Sequence, residues 1–135
     1  ALPILMSQKK FTLEEFTKLK TLLLDGTENE KFEAITKIRK ASSIENQPPL
    51  DLIRKSEVVP ILMAFHKDQT LPETVLQDIL WTLTNVASGS SEDTNYIVKL
   101  NGMEYFIEFL QHPSENIWGQ VNQSILLLSF RLCGD

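Results

Sequence analysis

The chain has 135 residues, 42% apolar and 23% charged, which fits one soluble globular domain and is too short for two ordinary ones. No apolar run approaches the roughly 20 residues that cross a bilayer, and the short apolar start Ala1 to Met6 has no basic residue before it, so it is no signal peptide. The single cysteine, Cys133, excludes an internal disulfide and suits a reducing compartment, cytoplasm or nucleus; the net charge of −5 divides into +2 over residues 1–55 and −7 over the rest. An acidic half disfavours nucleic acid as a ligand and permits a basic partner.

In chain order, nearly everything reads as helix. Thr12-Leu13-Glu14-Glu15 is a capping box ahead of an amphipathic run with Leu13, Phe16, Leu19, Leu22 and Leu23 on one stripe, which Asp25-Gly26 stops. A second run, about Glu30 to Ser42, aligns Phe32, Ile35 and Ile38. Gln47-Pro48-Pro49 breaks the chain and starts a short helix, Leu50 to Lys55; Val59-Pro60 opens another that runs to about His66.

Leu71-Pro72-Glu73 begins a long helix ending near Ser88-Gly89, with Leu76, Ile79, Leu80, Leu83 and Val86 as its buried face. That assignment leaves Trp81 and Asn85 together on another side, one turn apart. An indole is a flat apolar shelf for a long side chain, and an amide can both donate to and accept from a peptide backbone. The cycle then repeats: a short helix from Ser91 to Leu100, a turn at Asn101-Gly102, a medium helix from Met103 to Gln111, a turn at His112-Pro113-Ser114, and a long final helix. At an offset of 44 residues Ile53 matches Ile97, Lys55 matches Lys99 and Phe65 matches Phe109, within the roughly 40–47 residues of armadillo and HEAT repeats.

Trp81-Thr82-Leu83-Thr84-Asn85-Val86-Ala87-Ser88-Gly89, followed by Ser90-Ser91-Glu92-Asp93-Thr94, resembles the peptide-binding helix of an importin-alpha armadillo repeat. Phe11 to Glu15, Arg39-Lys40, Gln47-Pro48-Pro49, Asp51 and Val59-Pro60 resemble that family in series. The resemblance implies an all-α, right-handed superhelical armadillo solenoid of about two and a half repeats: a tail over 1–10, a partial repeat over 11–46, and repeats over 47–89 and 90–135. It also implies a groove for basic peptides of the nuclear-localisation type, serving nuclear protein import between cytoplasm and nucleus. Trp81 would be the shelf and Asn85 the clamp; the Gly89 carbonyl and Thr94 hydroxyl would meet the principal lysine, and Asp78 would add negative charge.

The chain departs from that pattern where a second Trp/Asn pair is expected. The ungapped register puts Gln123 and Leu127 there and Arg131 at the acidic position that meets the lysine, where it would repel it. A register shifted by four residues puts Leu127 and Arg131 at the pair and Asp135 at the acidic position. Only Lys9-Lys10 precede the first helix, where the family has a basic segment for importin-beta, so the expectation is a piece of a longer protein or a short relative docked in an assembly. The alternative function is thus a structural scaffold subunit with a decayed groove, its solenoid ends covered by other subunits.

Trp118 matches no family Trp position and is assigned to packing or an interface. Catalysis is not expected: His66 and His112 sit at helix ends, Cys133 has no paired Cys or nearby His, and no glycine loop cradles phosphate. No cofactor, metal, nucleic acid or membrane is implied.

Overall fold

The computed structural model describes residues 10–65 and 71–133. The expected tail over 1–10 (all but its last residue), the helix end at His66 and the acidic candidate Asp135 lie outside them. The described residues form eight α-helices: α1 Leu13–Asp25, α2 Glu28–Ser42, α3 Leu50–Ser56, α4 Val58–Ala64, α5 Glu73–Ala87, α6 Ser91–Lys99, α7 Gly102–Glu108 and α8 Glu115–Cys133. A 3₁₀ turn, Phe109–Gln111, follows α7. No helix among the described residues is long and apolar enough to cross a membrane.

Local chemistry sets most of these ends. One arm of the expected box at α1 is present, the Glu15 N–H on Thr12 Oγ1 at 3.2 Å. Complete capping boxes start α2, through Thr27 and Glu30, and α6, through Ser90 and Asp93. Gly26 ends α1 in an extended conformation rather than a left-handed one. Glycine is needed there because a Cβ would come within 2.5 Å of the Leu22 carbonyl. Pro49 and Pro72 stand just before α3 and α5, while Pro60 falls inside the first turn of α4, whose missing N–H costs nothing. The medium helix expected to Gln111 tightens after Glu108 into the 3₁₀ turn, and His112 Nδ1 then accepts the Ser114 N–H at 3.0 Å.

Glu57, between α3 and α4, and Asn101, 44 residues later between α6 and α7, both take the left-handed conformation at φ 62°. Asn tolerates that region and Glu does not, at a cost of about 1 kcal/mol. Glu57→Asn is therefore expected to raise stability by up to about 1 kcal/mol, read as a higher urea midpoint at unchanged m-value. A lower midpoint would show that the Glu57 side chain contributes more than its backbone costs.

The core runs continuously along the chain. Phe16, Ile35, Ile38, Ile53, Leu62, Leu83, Ile97, Phe106, Ile117 and Leu128 are fully buried. The expected stripe of α5 is buried throughout, as are both members of the Ile53/Ile97 pair. In α1 the stripe is narrower than its sequence suggests: Phe16 and Leu23 are buried, and Leu13 is exposed. The long helix α5 packs between α2 and α8, and these three side by side create the surface that carries the candidate residues.

Candidate groove on the long helices

Polar contacts recur between successive long helices at separations of 39 to 43 residues, close to the sequence period. Between α2 and α5, Arg39 Nε donates to Asp78 Oδ1 at 3.0 Å and Thr36 Oγ1 to Asp78 Oδ2 at 3.1 Å. The same guanidinium lies over the Trp81 ring, 4.8 Å from its centroid. Trp81 remains 46% exposed. The indole is thus exposed on the side that the buried stripe of α5 leaves out, and it already holds a cation through its quadrupole. Asp78 was expected to add negative charge, but Arg39 balances it, because the two side chains face each other across the α2/α5 seam.

Asn85 Nδ2 donates to Ser42 Oγ at 3.0 Å and to Ser43 Oγ at 3.2 Å. Both hydroxyls in turn donate to the Arg39 carbonyl, at 2.7 and 2.9 Å. The amide nitrogen therefore ties α5 to the end of α2. The amide oxygen carries no hydrogen bond among the described residues, and it is the atom that an incoming peptide N–H could reach. A cavity of about 490 Å³ opens between α5 and α8 beside Trp81 and Asn85, with Gln120, Gln123 and Ser124 on its far wall. Gln123 gives that wall an amide where a second indole was sought. Across the seam, the Thr84 and Ser124 hydroxyls share a 2.6 Å hydrogen bond and Gln120 Nε2 donates to the Gln77 carbonyl at 3.2 Å.

Gly89 and Thr94 lie together beyond the end of α5. Thr94 is only 4% exposed, its hydroxyl donating to the Ala87 carbonyl at 2.7 Å. Arg131 covers both residues: its Nη2 donates to the Gly89 carbonyl and its Nε to Thr94 Oγ1 at 3.2 Å. The two registers set Arg131 either at the acidic position, where it would repel a lysine, or at the Trp/Asn pair; its side chain bridges Gly89 and Thr94. Gly89 leaves no room for a side chain, since a Cβ would meet Asp93 Oδ2 at 2.5 Å and Leu50 Cδ1 at 2.7 Å.

That corner is fixed by Asp93, whose Oδ2 accepts the Ser90 N–H at 3.1 Å and whose Oδ1 accepts from Arg54 Nε at 2.9 Å. Arg54 Nη1 also reaches Glu92 Oε1 at 3.3 Å. The Asp93 carboxylate, more than Glu92, holds the Arg54 guanidinium above its ordinary and already high pKa. The carboxylates read as capping groups therefore also tie α6 back to α3.

Of the five candidates, Asp78, Trp81 and Asn85 share one helix face, with Gly89 and Thr94 at its end. Ser42, Ser43 and the placement of Arg39 were not anticipated. The signal for them was the repeat offset itself: Thr36, Ser42 and Ser43 precede Asp78 and Asn85 by 42 or 43 residues.

No family model matches the chain. It is 36% identical over 87 residues to importin subunit alpha-1b of Oryza sativa, covering 64% of this chain and 16% of that protein. It is 37% identical over 89 residues to importin subunit alpha-3 of Arabidopsis thaliana, covering 66% and 17%. Against importin subunit alpha of Saccharomyces cerevisiae it is 32% identical over 104 residues, covering 77% and 19%. The matched part is thus less than a fifth of each of these curated relatives. In fold it is similar to designed armadillo repeat protein YIII(Dq)4CqI, with a TM-score of 0.71 at 17% identity over 84% of this chain and 46% of that one. A second designed armadillo repeat protein, YIII(Dq.V1)4CPAF, solved in complex with the peptide (KR)4, has a TM-score of 0.73 at 19% identity over the same shares. The expected all-α armadillo architecture is therefore the one observed.

Proposed function

Because the chain is homologous to importin-alpha over most of its length and has the armadillo fold, we propose that it is a non-catalytic peptide-binding module. Its groove, on α2, α5 and α8, receives an extended basic peptide of the nuclear-localisation type, in nuclear protein import between cytoplasm and nucleus. In this reading residues 11–46 are a partial first repeat, 47–89 the second and 90–135 the third. Trp81 supports the aliphatic stem and cationic head of a peptide Lys or Arg, the Asn85 amide oxygen takes a peptide N–H, and Gly89 and Thr94 offer oxygens to a second cation. Asp78 supplies the carboxylate beside the indole.

The observation that carries the reading is the guanidinium of Arg39 seated 4.8 Å over the exposed Trp81 ring and paired with Asp78. A surface that holds one cation in this way has the chemistry to hold another. That a designed armadillo protein of similar fold was solved with (KR)4 supports the choice of ligand.

Intrinsic fluorescence tests it, since the chain has only two tryptophans. Titrating (KR)4 into the protein should give a saturable change that weakens with added salt. In Trp81→Ala the affinity should fall at least about tenfold, the scale of a lost cation–π contact plus stem burial. Trp118→Phe should bind as the parent does. No saturable change at millimolar peptide would overturn the proposal.

A second reading, a scaffold subunit whose groove has decayed, draws on Gln123 and Leu127 in place of a second Trp/Asn pair and on the ends of the solenoid being covered by other subunits. It predicts equal, unsaturable responses from the parent and Trp81→Ala.

A further inference from the structure

We propose that Arg131 is a built-in occupant of the groove's second cation position and sets how tightly the groove takes a basic peptide. This rests on the reading of the groove as a basic-peptide site. The fork of Arg131 presents Nη2 to the Gly89 carbonyl and Nε to the Thr94 hydroxyl. Two oxygens converging on one guanidinium are the acceptor set that an ammonium or guanidinium of a ligand would use.

The manner in which Arg131 is held separates it from the other arginines of the described residues. Arg39 is paired with Asp78, and Arg54 with Asp93 and Glu92. Arg131 contacts only neutral oxygens, and no carboxylate lies in ion-pair range of it among the described residues. Among the described residues no opposite charge balances it at the place where a peptide cation has to arrive. It competes for the same two acceptors and repels the newcomer. Arg39 also sits where a ligand cation would, but its removal would leave Asp78 without its counter-ion. Arg131 has no such partner among the described residues, and it is the occupant that can leave at least cost. The side chain lies near the end of α8, while the apolar anchors of that helix, Ile117, Val121 and Leu128, are fully buried upstream. Changing residue 131 leaves those anchors in place.

The test is a charge series at one position, with (KR)4 as the probe and calorimetry as the readout. Arg131→Ala should bind about tenfold more tightly than the parent, the scale of one competing charge-assisted hydrogen bond. Arg131→Glu should bind more tightly still, because it replaces repulsion by attraction. Arg131→Gln, which keeps an amide donor and loses the charge, should fall between Ala and the parent. Circular dichroism of each variant establishes that α8 is intact.

If the parent binds (KR)4 and Arg131→Ala binds it no better, this inference is overturned while the groove reading stands. Arg131 would then order Gly89 and Thr94 for the ligand rather than compete with it. If neither the parent nor any variant binds (KR)4, both fall together. If an uncharged-overall (EK)4 peptide gains as much as (KR)4, the effect is exposed apolar surface, and the proposal is overturned.

Discussion

Arg54→Met is expected to lower the unfolding free energy by about 3 kcal/mol, the low end of the cost of breaking a buried ion pair from one side. The side chains of Arg54 and Asp93 are only 15% and 7% exposed, with Nε and Oδ1 at 2.9 Å. Methionine keeps the length and apolar character of the arginine stem. It removes the charge that offsets the desolvation of Asp93, whose carboxylate would retain the Ser90 N–H and little else. That remaining cap hydrogen bond keeps the loss at the lower end of the range. Arg54→Lys should cost less, about 1 kcal/mol, because it keeps the charge and loses the directed fork.

Urea unfolding followed by circular dichroism at pH 7 measures both. A loss under about 0.5 kcal/mol for Arg54→Met, the level of a screened surface pair, would refute the argument. The substitution should also be felt in the groove. Asp93 stands beside Thr94 and fills the space next to Gly89, so loosening the start of α6 should weaken whatever those two residues hold.

The helices were legible in the sequence because their stop signals are local. Gly26, Pro49, Pro72, Asn101-Gly102 and Pro113 act through their own backbone geometry and need no tertiary partner. The buried face of α5 was legible for the same reason: a 3.6-residue period from Leu76 to Val86 specifies a side, and Trp81 and Asn85 are what that side leaves out. Glu57 shows the limit. Asn101 is a residue type that favours a left-handed turn, while the equivalent turn at Glu57 takes the same conformation with no signal in the residue itself.

The contacts of Arg39 and Arg131 were illegible for a related reason. Arg39 on Trp81 and Arg131 on the Gly89 carbonyl and the Thr94 hydroxyl are contacts that a long side chain makes about 40 residues away in sequence. The repeat offset tells which helices are neighbours, but not which way a long side chain leans between them. One register set Arg131 at a position meant for an acid, where like charge was the natural conclusion, and the other set it at the Trp/Asn pair; neither told where its side chain reaches. Reach was the missing quantity: an arginine stem is long enough to cross the seam and take the acceptors for itself.

Alkaline pH should unfold the protein through its tyrosines. Tyr105 is buried against the rings of Phe106 and Phe109, with centroids at 6.2 and 5.0 Å. Burial first, and the Glu108 charge second, push its phenol far above the ordinary value near 10. Tyr96 shifts the same way, again by burial first and then by Glu57. The sign follows from linkage. Below pH 10 both phenols are protonated in the folded and the unfolded chain, and the stability they allow is fully present. Above it the unfolded chain releases protons that the folded chain retains, so stability falls as pH rises toward the folded pKa. The slope is up to about 1.4 kcal/mol per pH unit for a fully buried phenol such as Tyr105, and less for the more accessible Tyr96.

Between pH 10 and 12 Tyr105 alone should therefore remove about 2 to 3 kcal/mol. Tyr105→Phe should flatten the curve by that amount. Every other ionisable group is common to both proteins, so the difference between the two curves isolates the phenol. Tyr96→Phe should flatten it less, and at pH 7 it should leave stability unchanged or raise it by up to about 1 kcal/mol, since the Tyr96 hydroxyl is buried without a hydrogen-bond partner among the described residues. Urea midpoints measured from pH 8 to 12 decide the matter. Parallel curves for the parent and Tyr105→Phe would mean that the phenol ionises as easily inside the fold as outside it, and that the cluster of Tyr105, Phe106 and Phe109 opens to water before the chain unfolds.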